Sequence, residues 1–490
     1  MSLEDIRNER LKKLELLKER GIDPFPAESH RTHSIADALR DFESLSADKK
    51  KVTVAGRVMA LREHGALAFA DLDDGSTPVG IARLQMYFKK DEMDPALFDL
   101  FLATADTGDF VEFTGVLLVT KRGAKSVQVE SWRMLAKSLL PLPDSWYGLE
   151  DKELRLRARH LDMVLNPEIR EMFMRKARFW NAIREFLTEK GYLEVETPAI
   201  ETTPGGADAR PFVTHHNALD IEAYLRISAG ELWQKRLLVA GFPKVFEIGR
   251  IFRNEGISNE HLQDYTQCEF YEAYSDYTKG MSMIRDLYQH VAKKVYGKMQ
   301  FSIRGHEVDL EAEWKTLHFG ETIKEHFGID PVACTEEEAI AAAKKAKVDL
   351  GKEPNKARAI DHLWKSIRKG IAGPAFLVGV PVFLEPLAKR VPGKPDEVER
   401  FQVILAGSEI GKGFSELNNP LDQRERFLDQ EKMREAGDDE AQRLDEEYIK
   451  AMEHGMPPAF GFGVSERLFA FLEDKSAHET QLFPLLRPKS

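Results

Sequence analysis

The densest chemistry-bearing stretch of the sequence is VFEIGRIFRNEGISNEHLQDYTQCEFYEAY, residues 245–274. Two apolar, strand-like runs flank a charged loop, and carboxylates, Arg253, His261 and aromatic rings alternate through it. Successive side chains on a strand point to opposite faces, so this spacing gathers the polar groups on one face. A charge buried there without a partner costs several kcal/mol. An internal ion-pair network would remove that cost, and so would a cationic or phosphorylated ligand arriving from outside. The residues alone leave both open.

The elements that must position these groups belong to a larger α+β region. A helix is expected from about Pro167 to Lys190, with strand-like runs around 193–200, 222–228, 244–253, 266–272, 375–384 and 401–407. Residues 331–372 are mostly helical in pattern and rich in Ala and Lys, which reads as an inserted helical segment. Ahead of this region, residues 51–135 hold five strand-like runs, with the helix-like DPALFDLFLAT between the third and fourth. That order suits a five-stranded OB barrel, a fold that binds single-stranded nucleic acid by stacking bases on aromatics in a basic groove. Arg57, Arg62, Phe69 and Tyr87 are candidates for that task, and each is equally at home as barrel packing or surface. Leu11, Leu14 and Leu17 predict a helix over 5–20 whose cations, Arg10, Lys12, Lys13, Lys18 and Arg20, either face solvent or tether a polyanion. The expected divisions are 1–45 for the basic amphipathic helix and its lead-in, 46–140 for the barrel, 141–155 for a Pro-rich linker, and 156–490 for the α+β domain.

Length and composition bound the rest. At 490 residues the chain is about three times a typical ~150-residue domain. With 42% hydrophobic and 31% charged residues it reads as globular. No apolar run approaches the roughly 18 residues of a spanning helix, and the charged start does not suit a secretory leader. Cys268 and Cys334 are too few for a disulfide framework or a four-cysteine zinc site, so a reducing, cytoplasmic setting is expected. A net charge of −12 excludes a uniformly basic coat but not a local basic patch.

FRNEG followed by YTQCEFYEAY resembles motif 2 of the class II aminoacyl-tRNA synthetases, and FLTEKGYLEVETPAIETTPGGADARPFVTHHNAL, residues 186–219, resembles their motif 1 region. GSEIGKGFSELNNPLDQRERF, residues 407–427, with PLAKR and the closing LFPLLRP, is similar to the lysyl branch. The resemblance covers nearly the whole chain. It implies an all-β OB-fold barrel that reads an anticodon, followed by an α+β catalytic domain with an antiparallel sheet flanked by helices. It also implies ligation of L-lysine to its tRNA through an adenylate, with ATP and Mg2+, in a cytoplasmic homodimer whose interface is the motif 1 helix and strand.

Carried over residue by residue, Arg253 falls at the motif 2 arginine on the α-phosphate and the substrate carboxylate, and Arg467 at the motif 3 arginine near the γ-phosphate. His261 matches a phosphate contact, Glu255 a contact to the adenine amino group, and Tyr265 the ring under adenine. Glu269, Tyr271 and Glu416 match the residues around the ε-ammonium, with Phe414 beside the aliphatic stem and Glu231 and Gly206 at the α-amino group. On the barrel, Gln85 joins Arg57, Arg62 and Phe69 at the anticodon. The carboxylate nucleophile is already ionised at neutral pH, so the reaction needs in-line positioning and cations on the phosphates, not a general base.

Three departures stand out. Of two expected acidic magnesium ligands, Glu409 remains while Gln402 occupies the other position, and an amide is the weaker ligand for a hard cation. This implies fewer or looser ions. Lys412 stands where the family has asparagine beside the substrate. Motif 3, PPAFGFGVSER, keeps Gly461 and Gly463 but lacks the third glycine, and RISAGEL carries an extra residue before Glu231. Competing readings are a paralogue that lysylates a protein, an aspartyl or asparaginyl ligase, and a non-catalytic RNA-binding protein. The barrel opposes the first, GFSELN with Glu269 and Tyr271 the second, and intact Arg253, Glu409 and Arg467 the third.

Overall fold

The computed structural model describes residues 2–77, 84–143, 151–256, 261–350, 355–435 and 441–488. The chain divides into two compact units, Met1–Glu171 and Met172–Ser490. Residues 144–150 of the expected linker, 257–260 of the charged loop and 351–354 of the expected insertion lie outside the described residues.

In the first unit, β1 (Lys51–His64), β2 (Leu67–Asp73), β3 (Gln85–Lys89), β4 (Phe110–Val119) and β5 (Lys125–Ala136) close into a barrel in the order β1-β2-β3-β5-β4. This is the expected OB topology. Alternation drives it: Val52, Val54 and Val58 of β1, Ala68, Ala70 and Leu72 of β2, and Met86 and Phe88 of β3 all point inward and are buried. The helix Pro95–Thr104 falls between the third and fourth strands, and its Phe101 stacks on Phe88 at 4.5 Å.

The first helix, Leu3–Glu19, forms as expected, but its cations do not all face solvent. Arg10 is buried and donates to the carbonyl oxygens of Thr107, Ser138 and Leu140, while Lys13 Nζ lies 2.7 Å from Asp106. These two are structural clamps. A guanidinium that satisfies otherwise orphaned carbonyls is more useful there than in a tether, which leaves Lys12, Lys18 and Arg20 as exposed cations, the two lysines each beside a glutamate.

The second unit is built on eight strands: β6 (Leu193–Glu194), β7 (Lys244–Phe252), β8 (Asp264–Ala273), β9 (Lys315–His318), β10 (Ala375–Val378), β11 (Arg400–Leu405), β12 (Ser408–Ser415) and β13 (Ala459–Ser465). Their spatial order is β9-β10-β11-β12-β13-β8-β7-β6, antiparallel except for the β9–β10 and β6–β7 pairs. Cys268, Phe270, Phe401 and Phe462 fill one face. Phe462 lies 5.9 Å from Phe401 and 5.6 Å from Phe270, and the helix Tyr277–Tyr296 covers them, with Tyr288 bonded to the Ile410 carbonyl. Three helices, Phe319–Phe327, Glu336–Lys345 and Lys356–Arg368, stand between β9 and β10.

Two strand expectations are corrected. The run at 193–200 is broken in two: Leu193–Glu194 pair with Val245–Phe246 and Val195 N–H donates to the Phe246 carbonyl, while Ile200 pairs with Leu225 in a separate small sheet, because between them Thr197 turns to bond Glu247 through both its backbone N–H and its hydroxyl, and Pro198 has no N–H to offer a ladder. The run at 375–384 stops at Val378: Gly379 adopts φ +69°, and a two-residue strand and a 3₁₀ turn follow. No helix among the described residues is long and apolar enough to cross a membrane.

Candidate active site

The other sheet face carries the polar groups, and cross-strand register sets them in two rows. One row reads Gln402–Lys412–Gly463–Glu269–Glu247 from β11 to β7, and its neighbour reads Arg400–Phe414–Gly461–Tyr271–Val245. The two glycines stand in the middle of the rows, and the absence of side chains there opens the floor. A Cβ on Gly461 would fall inside the contact distance of Glu416 Oε1 and the Tyr271 ring.

Two adjoining cavities lie over the middle of this floor, beside a wider one of about 810 Å³ that reaches Arg400, Gln402 and Glu409 from the Trp364 side. A cavity of about 310 Å³ is lined by Arg253, Glu255, His261, Tyr265, Gln402, Glu409 and Arg467, and one of about 230 Å³ by Gly206, Glu231, Glu269, Tyr271, Phe414 and Glu416. The expected catalytic residues are thereby sorted into two sets, phosphate-type and ammonium-type. Arg253, Gln267, Lys412 and Gly463 line both cavities, so these meet at the end of β7 and the middle of β12. Arg253 is oriented by its Nε donating to the Ile227 carbonyl at 3.2 Å, and its guanidinium lies 5.8 Å from the Tyr265 ring.

The smaller cavity ends in buried carboxylates. Glu269 accepts from the Ala229 N–H at 2.8 Å, from Gln267 Nε2 at 2.6 Å and from the Tyr271 hydroxyl at 3.0 Å. Burial nevertheless pushes its carboxyl up to about 7, and pushes that of Glu416 up to about 8. Gly206 holds the opposite wall at φ +83°, where an added Cβ would press on Glu231 and Ser228 at 2.7 Å.

One residue here escaped the sequence reading. Lys235, on the helix Glu231–Val239, is buried, with its Nζ 2.7 Å from Glu231 and 2.5 Å from Glu416. Its ammonium lies 5.3 Å from the Phe414 ring and 5.8 Å from that of Tyr271. Burial alone would lower its pKa, but Glu231 and Glu416 overcome that and hold it above the usual ammonium range. The i,i+4 spacing of Glu231 and Lys235 was the available signal. Three carboxyl groups therefore share the site with one resident ammonium, and once all are ionised they carry two negative charges in excess for a ligand to meet.

In the larger cavity both expected metal ligands have partners. The Trp364 indole N–H donates to Glu409 Oε1 at 2.7 Å, Arg368 Nη1 lies 3.0 Å from Glu409 Oε2, and Arg400 donates to Gln402 Oε1 at 2.8 Å. Lys412 Nζ lies 2.9 Å from Glu385, not against Glu409. Among the described residues no three His, Cys, Asp or Glu side chains are grouped to hold a metal ion.

On the barrel, register aligns Arg62, Phe69, Tyr87 and Gln128 in one outward row across β1, β2, β3 and β5, with Gln85 one step along β3. Phe69 and Tyr87 lie 5.5 Å apart, and Arg62 forks onto Asp71. Arg57 stands apart from this row. A register shift after Val58 separates it from Arg62, and it donates to the Gly108 carbonyl and packs over Phe110 at 4.3 Å.

Comparison with known proteins gives a consistent picture. Residues 151–487 match the family described as tRNA synthetases class II (D, K and N), and residues 52–135 match the OB-fold nucleic acid binding domain. Over the full length of both chains the sequence is 42% identical to a lysine–tRNA ligase of Roseiflexus sp. (strain RS-1) and 43% identical to one of Roseiflexus castenholzii. A lysine–tRNA ligase of Thermoanaerobacter pseudethanolicus is 41% identical over all of this chain and 97% of its own.

Proposed function

The chain belongs to the class II tRNA synthetases, among the lysine–tRNA ligases, and from that membership we propose how its two cavities share the reaction: the larger takes ATP and the smaller takes L-lysine. The observation that carries this reading is the junction of the two cavities at Arg253. There the lysine carboxylate meets the α-phosphate, attacks phosphorus in line and expels pyrophosphate. The 3′-terminal hydroxyl of the tRNA then attacks the resulting anhydride and releases AMP. No base is needed for the first step, since the carboxylate arrives ionised. Arg253 orients both partners, Arg467 and Lys412 spread positive charge over the phosphates, and His261 is assigned to a phosphate contact. Tyr265 and Glu255 are assigned to adenine.

Charge supports lysine as the amino acid. When ionised, Glu231, Glu269 and Glu416 against Lys235 leave a surplus of two negative charges, and free lysine brings two ammonium groups. We assign the α-ammonium to Glu231 and Gly206 and the ε-ammonium to Glu269, Tyr271 and Glu416, with the stem along Phe414. In ATP–pyrophosphate exchange run with each standard amino acid, lysine alone is expected to give turnover. Exchange with aspartate or asparagine instead would overturn the assignment.

Mg2+ accompanies ATP in this reading, yet the donors offered for it are one carboxylate and one amide, both engaged by Arg368, Trp364 and Arg400. A hard cation wants free carboxylate oxygens, so these side chains do not fit a protein-held ion. An ion that accompanies ATP would be held by ATP itself and not by these side chains.

We assign anticodon binding to Arg62, Phe69 and Gln85 and omit Arg57, which the register shift sets apart from the row of Arg62 and Phe69. A base stacked on an aromatic contributes about 1–3 kcal/mol. Phe69→Ala is accordingly expected to lower tRNA charging about tenfold while pyrophosphate exchange is retained. Equal loss in both assays would make Phe69 a packing residue. We also propose a cytoplasmic homodimer, supported by the exposed apolar side chains Leu193, Ile200, Val213 and Leu219 around the motif 1 segment. Light scattering on the full chain should report twice the monomer mass.

A further inference from the structure

The groups that occupy the expected metal ligands are themselves mostly cations. Arg400 reaches both Gln402 and, at 3.1 Å, Glu385, while Lys412 lies 2.9 Å from the same Glu385 oxygen. Gln402 and Lys412 are direct cross-strand partners on β11 and β12. Arg400 and Lys412 both line the larger cavity. Glu385 is buried; burial pushes its carboxyl up, but Lys412 and Arg400 outweigh it and hold it below the usual carboxylate range. One buried carboxylate therefore rests between two cations at the edge of the cavity. Behind them, Arg368 and Trp364 engage both oxygens of Glu409.

Resting on the assignment of this cavity to ATP, we propose that Arg400 and Lys412 bind the phosphates as fixed charges in place of a protein-held divalent cation. Glu385 is their resting counter-ion, and Arg368 and Trp364 are positioning residues that keep Glu409 from a metal. The Lys412 side chain is 43% exposed, so it is free to turn from Glu385 to an arriving phosphate. Arg400, only 11% exposed, stays on Gln402 and Glu385 and presents its remaining N–H groups. Once Lys412 has turned onto the bound phosphates, charges carried on adjacent strands need no further reorganisation as charge develops on the leaving pyrophosphate, and unlike a bound ion they are not removed by a chelator.

The test is ATP binding to the full-length protein by calorimetry, without amino acid, in Mg2+ and in EDTA. EDTA is expected to weaken binding to the wild type by no more than about tenfold, and Lys412→Asn and Arg400→Gln each to lose about tenfold more in EDTA than in Mg2+. A larger loss for the wild type, or equal losses for the variants in both buffers, would overturn the proposal. Mn2+ bound with a non-hydrolysable ATP analogue, counted by electron paramagnetic resonance, gives the second readout. The expected count is one ion per site in the wild type and more than one in the Arg368→Met/Gln402→Glu double variant, which releases Glu409 from Arg368 and adds a second carboxylate at 402. More than one ion in the wild type, with a decrease in Glu409→Gln, would show a protein-held metal and overturn it. If the double variant fails to fold, the Lys412→Asn titration decides alone. Loss of wild-type ATP binding in both buffers would count against the ATP assignment itself and is thereby distinguishable.

Discussion

Replacing Glu416 by glutamine is expected to raise the KM for lysine by about two to three orders of magnitude, because removing one partner of a buried ion pair costs roughly 3–5 kcal/mol. The KM for ATP should stay within a few-fold of the wild type. Glu416 is 1% exposed and holds Lys235 already, so the side chain that replaces it must leave two ammonium groups facing too little negative charge. Glu269→Gln should act in the same direction, since it removes the charge and its single amide oxygen can accept on one side only, which leaves its NH2 facing either the Ala229 N–H or the Tyr271 hydroxyl. The pH dependence has a definite sign. Burial raises Glu269 to about 7 and Glu416 to about 8 in the free site, and a bound ammonium would lower both. Lysine binding therefore expels protons. Affinity should rise as pH climbs from 6 towards 8 and level off above, and Glu416→Gln should flatten most of that slope. Steady-state kinetics for lysine across this range, with thermal melts to show that the variants fold, would measure it. A lysine KM unchanged in both variants would sink the pocket assignment.

Much of this pocket was legible because its residues alternate on strands: Gln267, Glu269 and Tyr271 share a face of β8, with Cys268 and Phe270 on the other. The barrel was equally legible, its strands being apolar on alternate residues and its helix bounded by Asp94 and Pro95. β12 and β13 were harder. GSEIGKGFS and AFGFGVS carry the glycines that open the site, and glycine is a poor strand former, so these segments were recognised as motifs but not as strands. Lys235 escaped because a helix lysine is usually solvated, and only the convergence of Glu231 and Glu416 from separate elements makes burial tolerable. Trp364 and Arg368 were beyond reach for another reason. They act on Glu409 from a helix more than forty residues earlier in the chain, and no local pattern encodes that contact.

The second large effect is expected at Arg253. Arg253→Ala should lower the rate of pyrophosphate exchange by about three orders of magnitude, the scale for losing a preorganised donor to developing charge. Arg253→Lys should recover little of it. A single ammonium cannot fork between a carboxylate and a phosphate oxygen, and the Nε contact to the Ile227 carbonyl that aims the side chain would be lost. Because the guanidinium touches both substrates as they react, kcat should fall far more than either KM rises. An exchange rate within tenfold of the wild type in Arg253→Ala, or a defect confined to one KM, would remove Arg253 from the junction.

β12 is shared by both cavities: Lys412 belongs to their junction, Phe414 to the lysine side, and Glu416 follows directly after the strand. A strand has one register, so a one-residue insertion or deletion within it would invert every later side chain and disable both substrates at once. In evolutionary terms, such a site diversifies by substitution and not by changes in length. New amino-acid preferences can arise at its distal end, around 414–416 and the facing Glu269 and Tyr271, while the proximal end remains tied to nucleotide chemistry. Gly461, at the distal end between Phe414 and Tyr271, leaves no room for a side chain beside Glu416 and Tyr271 as they stand.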